Sequence, residues 1–138
     1  MHLVTFIESG VGRIGVLDPG CGEVVDLARA APDLPRDMPG LIARGETGLR
    51  TVRDAAASGA ARLPLAQVRL CAPLRPARNV FCVGKNYRDH VNEVRAQGAA
   101  GPEATPEVPI FFTKATSSVI GPAEPIPASE DPTASADY

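Results

Sequence analysis

Glycine and proline punctuate this sequence so densely that long regular elements have little room. The 138 residues hold 13 Gly and 14 Pro, about a fifth of the chain. That share favours turns and short extended segments over long helices. Between the breaks, residues 2–27 predict a meander of three short antiparallel strands. His2, Val4 and Phe6 alternate with Leu3, Thr5 and Ile7; Arg13 to Leu17 follows; Asp18-Pro19-Gly20 marks a turn; Glu23 to Leu27 gives the third run.

The next stretch changes period. Asp37 predicts the cap of a short helix through Ile42 and Ala43, ending near Gly45. Leu49, Val52, Ala55 and Ala56 recur at helical spacing, with Gly59 as the stop. Leu63 to Leu65 and Val68 to Leu70 read as extended chain. Pro73 and Pro76 mark a boundary, giving a small domain at 1–70, a linker at 71–78 and a second part at 79–138. In that part, Val80 to Val83 and Ile110 to Phe112 read as buried strands, 87–97 as a short helix, and 98–109 as a mobile loop. The fold class expected is α+β and β-rich.

Charge and cysteine content exclude several functions. Fourteen basic and 16 acidic residues nearly balance, which argues against a nucleic-acid or polybasic membrane binder. No run approaches the ~18 apolar residues of a membrane span. Met1 to Gly10 lacks a basic stretch followed by an apolar run, so no signal peptide is expected. Cys21, Cys71 and Cys82 are too few and scattered for a disulfide framework, which points to the cytoplasm. Aromatics are only 4%, so Val, Leu, Ile and Ala must build the core.

Two motifs are decoys. Gly10, Gly12 and Gly15 match the G-x-G-x-x-G spacing, but Val16-Leu17-Asp18-Pro19 follows as strand and turn, where a dinucleotide site needs a helix N-terminus. Gly84-Lys85 is no phosphate loop, because Asn79 and Asn86 replace the required glycine and hydroxyl residue. A sharper signal begins at the end of the 80–83 run, in Gly84-Lys85-Asn86-Tyr87-Arg88-Asp89-His90-Val91-Asn92-Glu93. On a helix, His90 and Glu93 share a face. A carboxylate beside an imidazole orients it and raises its basicity, as a general base for water requires. A solvated surface helix with an incidental pair fits the same spacing. Lys114 at a strand end can bind a carboxylate or enolate; an exposed strand-end lysine is the bland alternative.

These residues resemble the fumarylacetoacetate hydrolase family. The resemblance rests on Asn79-Val80-Phe81-Cys82-Val83-Gly84-Lys85-Asn86-Tyr87-Arg88-Asp89-His90 with Glu93. It continues in Pro109-Ile110-Phe111-Phe112-Thr113-Lys114, Ser117, Ile120-Gly121-Pro122 and Pro125-Ile126. Val4-Thr5-Phe6, Arg13-Ile14-Gly15-Val16 and Val24-Val25-Asp26-Leu27 resemble the small domain that many bacterial members carry in front. The resemblance implies a small strand-helix domain followed by the start of a mixed β fold of that family.

It implies an enzyme acting on 2-oxo or 2,4-dioxo acids. The reactions are C–C hydrolysis of acylpyruvates or fumarylacetoacetate, decarboxylation, or isomerisation. His90 would be the catalytic base and Glu93 its partner, which favours the hydrolase or decarboxylase branch. Lys114, Gly84, Asn86 and Tyr87 would bind substrate, and the loop near 94–108 would be a lid. A homodimer and a Mg2+ or Mn2+ ion are implied for the intact enzyme. The family's Glu-x-Glu pair and later acidic ligand are not in this sequence, and Glu124, Glu130 and Asp131 sit outside that motif. No metal ligand is therefore assigned, and the chain is expected to be an N-terminal portion, inactive alone. The alternative expectation is a non-catalytic assembly module that complements a partner carrying the metal site.

Overall fold

The computed structural model describes residues 1–84 and 109–127. The chain forms two compact units: Met1–Leu74 with Val119–Tyr138, and Arg75–Ser118. The division thus falls inside the stretch 71–78, and residues 119–127 group with the first unit. No helix among the described residues is long and apolar enough to cross a membrane.

The described residues of the first unit form a five-stranded antiparallel sheet with three α-helices. Its strands are β1 (His2–Glu8), β2 (Val11–Asp18), β3 (Glu23–Asp26), β4 (Arg62–Pro64) and β5 (Arg69–Leu70), in spatial order β4-β3-β2-β1-β5. The β1–β2 hairpin closes on Ser9-Gly10, with φ of 49° and 81° and Glu8 opposite Val11. Two successive positive φ angles give a turn whose twist matches the strands. This turn starts β2 at Val11, two residues before the expected Arg13. The β2–β3 turn is built by Asp18, whose carboxylate accepts from Gly20 N at 3.1 Å and whose carbonyl accepts from Gly22 N at 3.0 Å.

Helix α1 (Leu27–Ala30) begins where the third strand was expected to continue. Asp26 has extended backbone, and its side chain accepts from Ala28 N at 2.9 Å. That cap turns the chain into a helix at Leu27. Helix α2 (Met38–Ala43) is capped by Asp37, as expected, which accepts from Gly40 N at 2.7 Å. Gly45, at φ 55°, ends α2 and at once opens α3 (Gly45–Ala57). Gly59, at φ 72°, follows the end of α3.

Strand alternation sorts the sheet into two faces. Ile14, Val16 and Val25 join Leu27, Leu34, Met38, Leu41, Val52 and Ala55 in one buried cluster. Val52 and Ala55 come from the predicted stripe of α3, with Leu49 and Ala56 half-buried beside them. Phe6, Gly15, Val24 and Asp26 share the other face, by their register across β1, β2 and β3. The expected glycine-rich motif therefore lies in a hairpin and its second strand, with no helix after it.

Gly15 is required by close approach. A Cβ there would meet Val25 O at 2.6 Å, Val24 Cγ1 at 2.8 Å and Phe6 Cε1 at 2.9 Å. The carbonyl belongs to the sheet ladder and has no room to retreat. Gly15→Ala is expected to cost about 1–3 kcal/mol, read as a lowered urea midpoint with an unchanged slope. A midpoint equal to wild type would show that the strands can part there.

Residues 71–73 and 119–124 are tied to this sheet. Cys71 N donates to Thr5 O at 2.9 Å, and the Thr5 hydroxyl donates to the Pro73 carbonyl. Gly121 is buried against Cys71, where a Cβ would meet main-chain atoms at 3.0 Å. The Glu124 carboxylate accepts from Gly121 N at 3.0 Å and from Arg69 at 3.4 Å.

In the second unit, β6 (Val80–Gly84) pairs antiparallel with β7 (Ile110–Lys114) as a two-stranded ribbon. Both runs are strands, as predicted, but they are not buried. Phe81 is 75% exposed, Phe111 66% and Phe112 46%. Nothing among the described residues covers them.

Candidate functional site

The ribbon carries the two described residues of the expected site. Val80 stands opposite Lys114, and Gly84 stands opposite Ile110. Gly84 and Lys114 thus occupy the same face at opposite ends of the ladder, about 13 Å apart at ~3.3 Å per residue. The ribbon alone does not bring them into one pocket. Gly84 ends its strand where the Lys85-Asn86-Tyr87 block begins, and Lys114 ends the other strand just before the turn at Thr116–Ser118. His90, Glu93, Asn86 and Tyr87 lie outside the described residues. Cys82, within the run read as a buried strand, is only half-buried.

The first unit holds two ionic clusters that sequence reading missed. Around fully buried Asp26, the guanidinium of Arg13 donates to Oδ2 and Arg29 Nε lies at 3.2 Å. Glu8 joins both arginines, at 3.4 Å from Arg13 and 2.8 Å from Arg29. The Asp26-Leu27-Ala28-Arg29 spacing was the available signal, a cap residue with a cation three positions on.

The second cluster sits on the helix-side face. Arg62 lies opposite Val25, while Asp18 and Glu23 are opposed one row along. Arg62 reaches Glu23 at 3.0 Å and Asp18 at 3.7 Å. The Cys21 thiol donates to Glu23 at 3.4 Å. Hydrogen bonding from the Cys21 thiol, from the Gly20 amide and the charge of Arg62 hold the Asp18 carboxyl below its usual range. The same neighbours act oppositely on the thiol: Asp18 first, then desolvation and Glu23, push Cys21 up. Glu23 raises Arg62 further.

The sign follows for stability. Asp18 contributes stability above its unfolded pKa and loses it as pH falls through the lower folded value. Cys21 contributes below its unfolded pKa and loses it as pH rises through the raised folded value. Cys21 is therefore expected to alkylate more slowly with iodoacetamide near neutral pH than a free cysteine peptide. Glu23→Gln should speed it. Equal rates in both proteins would remove the role given to Glu23.

A cavity of about 390 Å³ lies beside this cluster, lined by Val16, Val25, Ala56, Arg53, Asp18 and Arg62 among others. Its guanidiniums already face carboxylates, Arg53 at 2.6 Å from Glu46 and Arg62 as above. Among the described residues, no three His, Cys, Asp or Glu side chains gather into a metal site.

The described residues form a strand-rich α+β fold, with the signature block starting at the end of β6. The family profile described as fumarylacetoacetate (FAA) hydrolase C-terminal matches residues 79–138. Through this segment the chain belongs to the fumarylacetoacetate hydrolase family. It is 38% identical over 120 residues to a mitochondrial oxaloacetate tautomerase of Rattus norvegicus, covering 87% of this chain and 33% of the relative. It is 41% identical over 76 residues to oxaloacetate tautomerase YisK of Bacillus subtilis, covering 54% of this chain and 23% of that one.

Two solved structures share the fold. The fumarylacetoacetate hydrolase of psychrophilic Exiguobacterium antarcticum has a TM-score of 0.61 at 36% identity, covering 90% of this chain and 39% of its own. Maleylpyruvate hydrolase from Sphingobium sp. SYK-6, in complex with manganese(II) and pyruvate, has a TM-score of 0.57 at 31% identity, covering 91% and 41%. The chain spans about two-fifths or less of the length of these relatives.

Proposed function

We propose that this chain supplies the small domain and the substrate-facing strand ends of a divalent-metal-dependent enzyme acting on 2-oxo or 2,4-dioxo acids. The match of residues 79–138 to the family carries this reading. In it, His90 oriented by Glu93 draws a proton from water, which then attacks the carbonyl beside the bond to be cleaved. The Lys114 ammonium offers its charge to a carboxylate or developing enolate. Gly84, Asn86 and Tyr87 position the substrate. Decarboxylation or tautomerisation of oxaloacetate uses the same binding groups.

The described residues do not fit a Mg2+ or Mn2+ ion. Such an ion, when bound, polarises an oxo group. The chain alone is therefore proposed to be inactive. A second reading, a non-catalytic assembly module for a metal-bearing partner, is favoured by the exposed apolar ribbon.

The test is a fusion of this chain to the part of the Exiguobacterium relative that it does not cover. Turnover of oxaloacetate or an acylpyruvate with Mn2+ is expected in the fusion, none in the chain alone, and loss with EDTA. His90→Ala in the fusion should lower hydrolysis about 10²–10⁴-fold. Turnover indifferent to that substitution would overturn the proposed base.

A further inference from the structure

Strand register builds one cavity of the first unit from a single cross-strand row. Val16 stands opposite Val25, and Val25 stands opposite Arg62. The row therefore runs apolar, apolar, cationic from β2 to β4 on the helix-side face. Helix α3 brings Arg53 and Ala56 to the same cavity, three residues apart and so on one helix face. These five residues and Asp18 all line the space of about 390 Å³, and all belong to the first unit. Small-molecule sites have this size and this make-up, an apolar lining with a few polar groups that fix orientation.

The charged groups differ in how firmly they are held. Arg62 meets Glu23 at 3.0 Å and Asp18 at 3.7 Å, and donates to the Ala56 carbonyl at 3.4 Å. Asp18 is fixed in turn by Gly20 N at 3.1 Å. Arg53 meets Glu46 at 2.6 Å through Nη1, and these two side chains are 53% and 66% exposed. So exposed a pair contributes little, and another carboxylate can take the place of Glu46. The Asp18 carboxylate works against a second negative group in the same space. A bare inorganic anion would leave the valine floor unused.

We propose that this cavity binds a small organic monocarboxylate with a short aliphatic chain. The chain lies on Val16, Val25 and Ala56, and the carboxylate takes the Arg53 guanidinium in place of Glu46. The guanidinium fork matches a carboxylate with two parallel N–H donors. The charge of Asp18 selects one carboxylate over two.

The experiment titrates hexanoate into the isotope-labelled 138-residue chain and follows methyl resonances by NMR. Shifts are expected at Val16, Val25 and Ala56. Shortening the probe from hexanoate toward acetate should weaken binding by up to about fourfold per CH₂. Arg53→Gln should weaken hexanoate about tenfold, and Glu46→Gln should tighten it by up to about fivefold. Both side chains are exposed, so hydrogen exchange in β1–β3 should stay unchanged in the two variants. Adipate, of the same length with a second carboxylate, should bind less tightly than hexanoate. No methyl shift up to ~10 mM hexanoate overturns the proposal. Affinity indifferent to chain length overturns it in favour of a surface ion pair, and unchanged affinity in Arg53→Gln removes the carboxylate site. Adipate binding as tightly as hexanoate overturns the selection for one carboxylate.

Discussion

Asp26→Ala is expected to lower the stability of the first unit by about 3–5 kcal/mol, the usual effect of breaking a buried ion pair from one side. The carboxylate is fully buried and does three things at once. It caps α1 through Ala28 N and accepts from Arg13 and Arg29. Without it, Arg13 keeps only Glu8 at 3.4 Å, and its Nε already has no hydrogen-bond partner. Arg13, only 19% exposed, is left short of acceptors, which is the dominant penalty; the lost cap adds about 1 kcal/mol. Domains of this size have about 5–10 kcal/mol in total, so the variant should be partly unfolded by modest urea. Asp26→Asn keeps an oxygen for the cap and should fall between. A midpoint shift worth under ~1 kcal/mol in the alanine variant would sink the argument.

Phe6→Ala is expected to cost a similar ~3–5 kcal/mol. The ring has no exposed surface, and it lies where Gly15 leaves a gap between strands. Truncation leaves a cavity bounded by sheet backbone, which cannot collapse to fill it. The two sites are coupled. Adding Gly15→Ala to Phe6→Ala removes the ring clash but leaves the approach to Val25 O at 2.6 Å. The double variant should recover only part of the sum, by a coupling of ~0.5–3 kcal/mol in a denaturation cycle. Full additivity would mean that the ring and the glycine do not share one space.

What could be read from sequence was local. Asp37 before Met38 and Gly59 after Ser58 announce helix ends by cap chemistry alone, and both lie where expected. The early start of β2 was missed because Ser9-Gly10 looks like loop until its paired positive φ angles are seen. The apolar run of β3 continues through Leu27 and predicts strand there; the buried Asp26 cap overrides the run. Long-range partners were not legible at all. Nothing in the chain order says that Arg62 meets Glu23, or that the two-residue β5 pairs with β1. The same holds at the candidate site. Gly84 and Lys114 were found through the motif, but only the strand register shows that they stand at opposite ends of one ladder.

The seating of Gly121 on Cys71 has a consequence in polymer terms. Ends that meet close a loop, and the entropy lost on closure grows slowly, by about 0.6 kcal/mol for each doubling of loop length. With main-chain atoms only 3.0 Å from a Gly121 Cβ, the stretch between these residues is already a ring. Val80 and Lys114 lie a short arm inward from its two roots. Their pairing therefore starts from a small residual search, whatever length of chain separates β6 from β7. A longer or shorter insertion between the strands leaves that starting point nearly unchanged. A protease cut within it leaves both strands leashed to the same spot on the first unit.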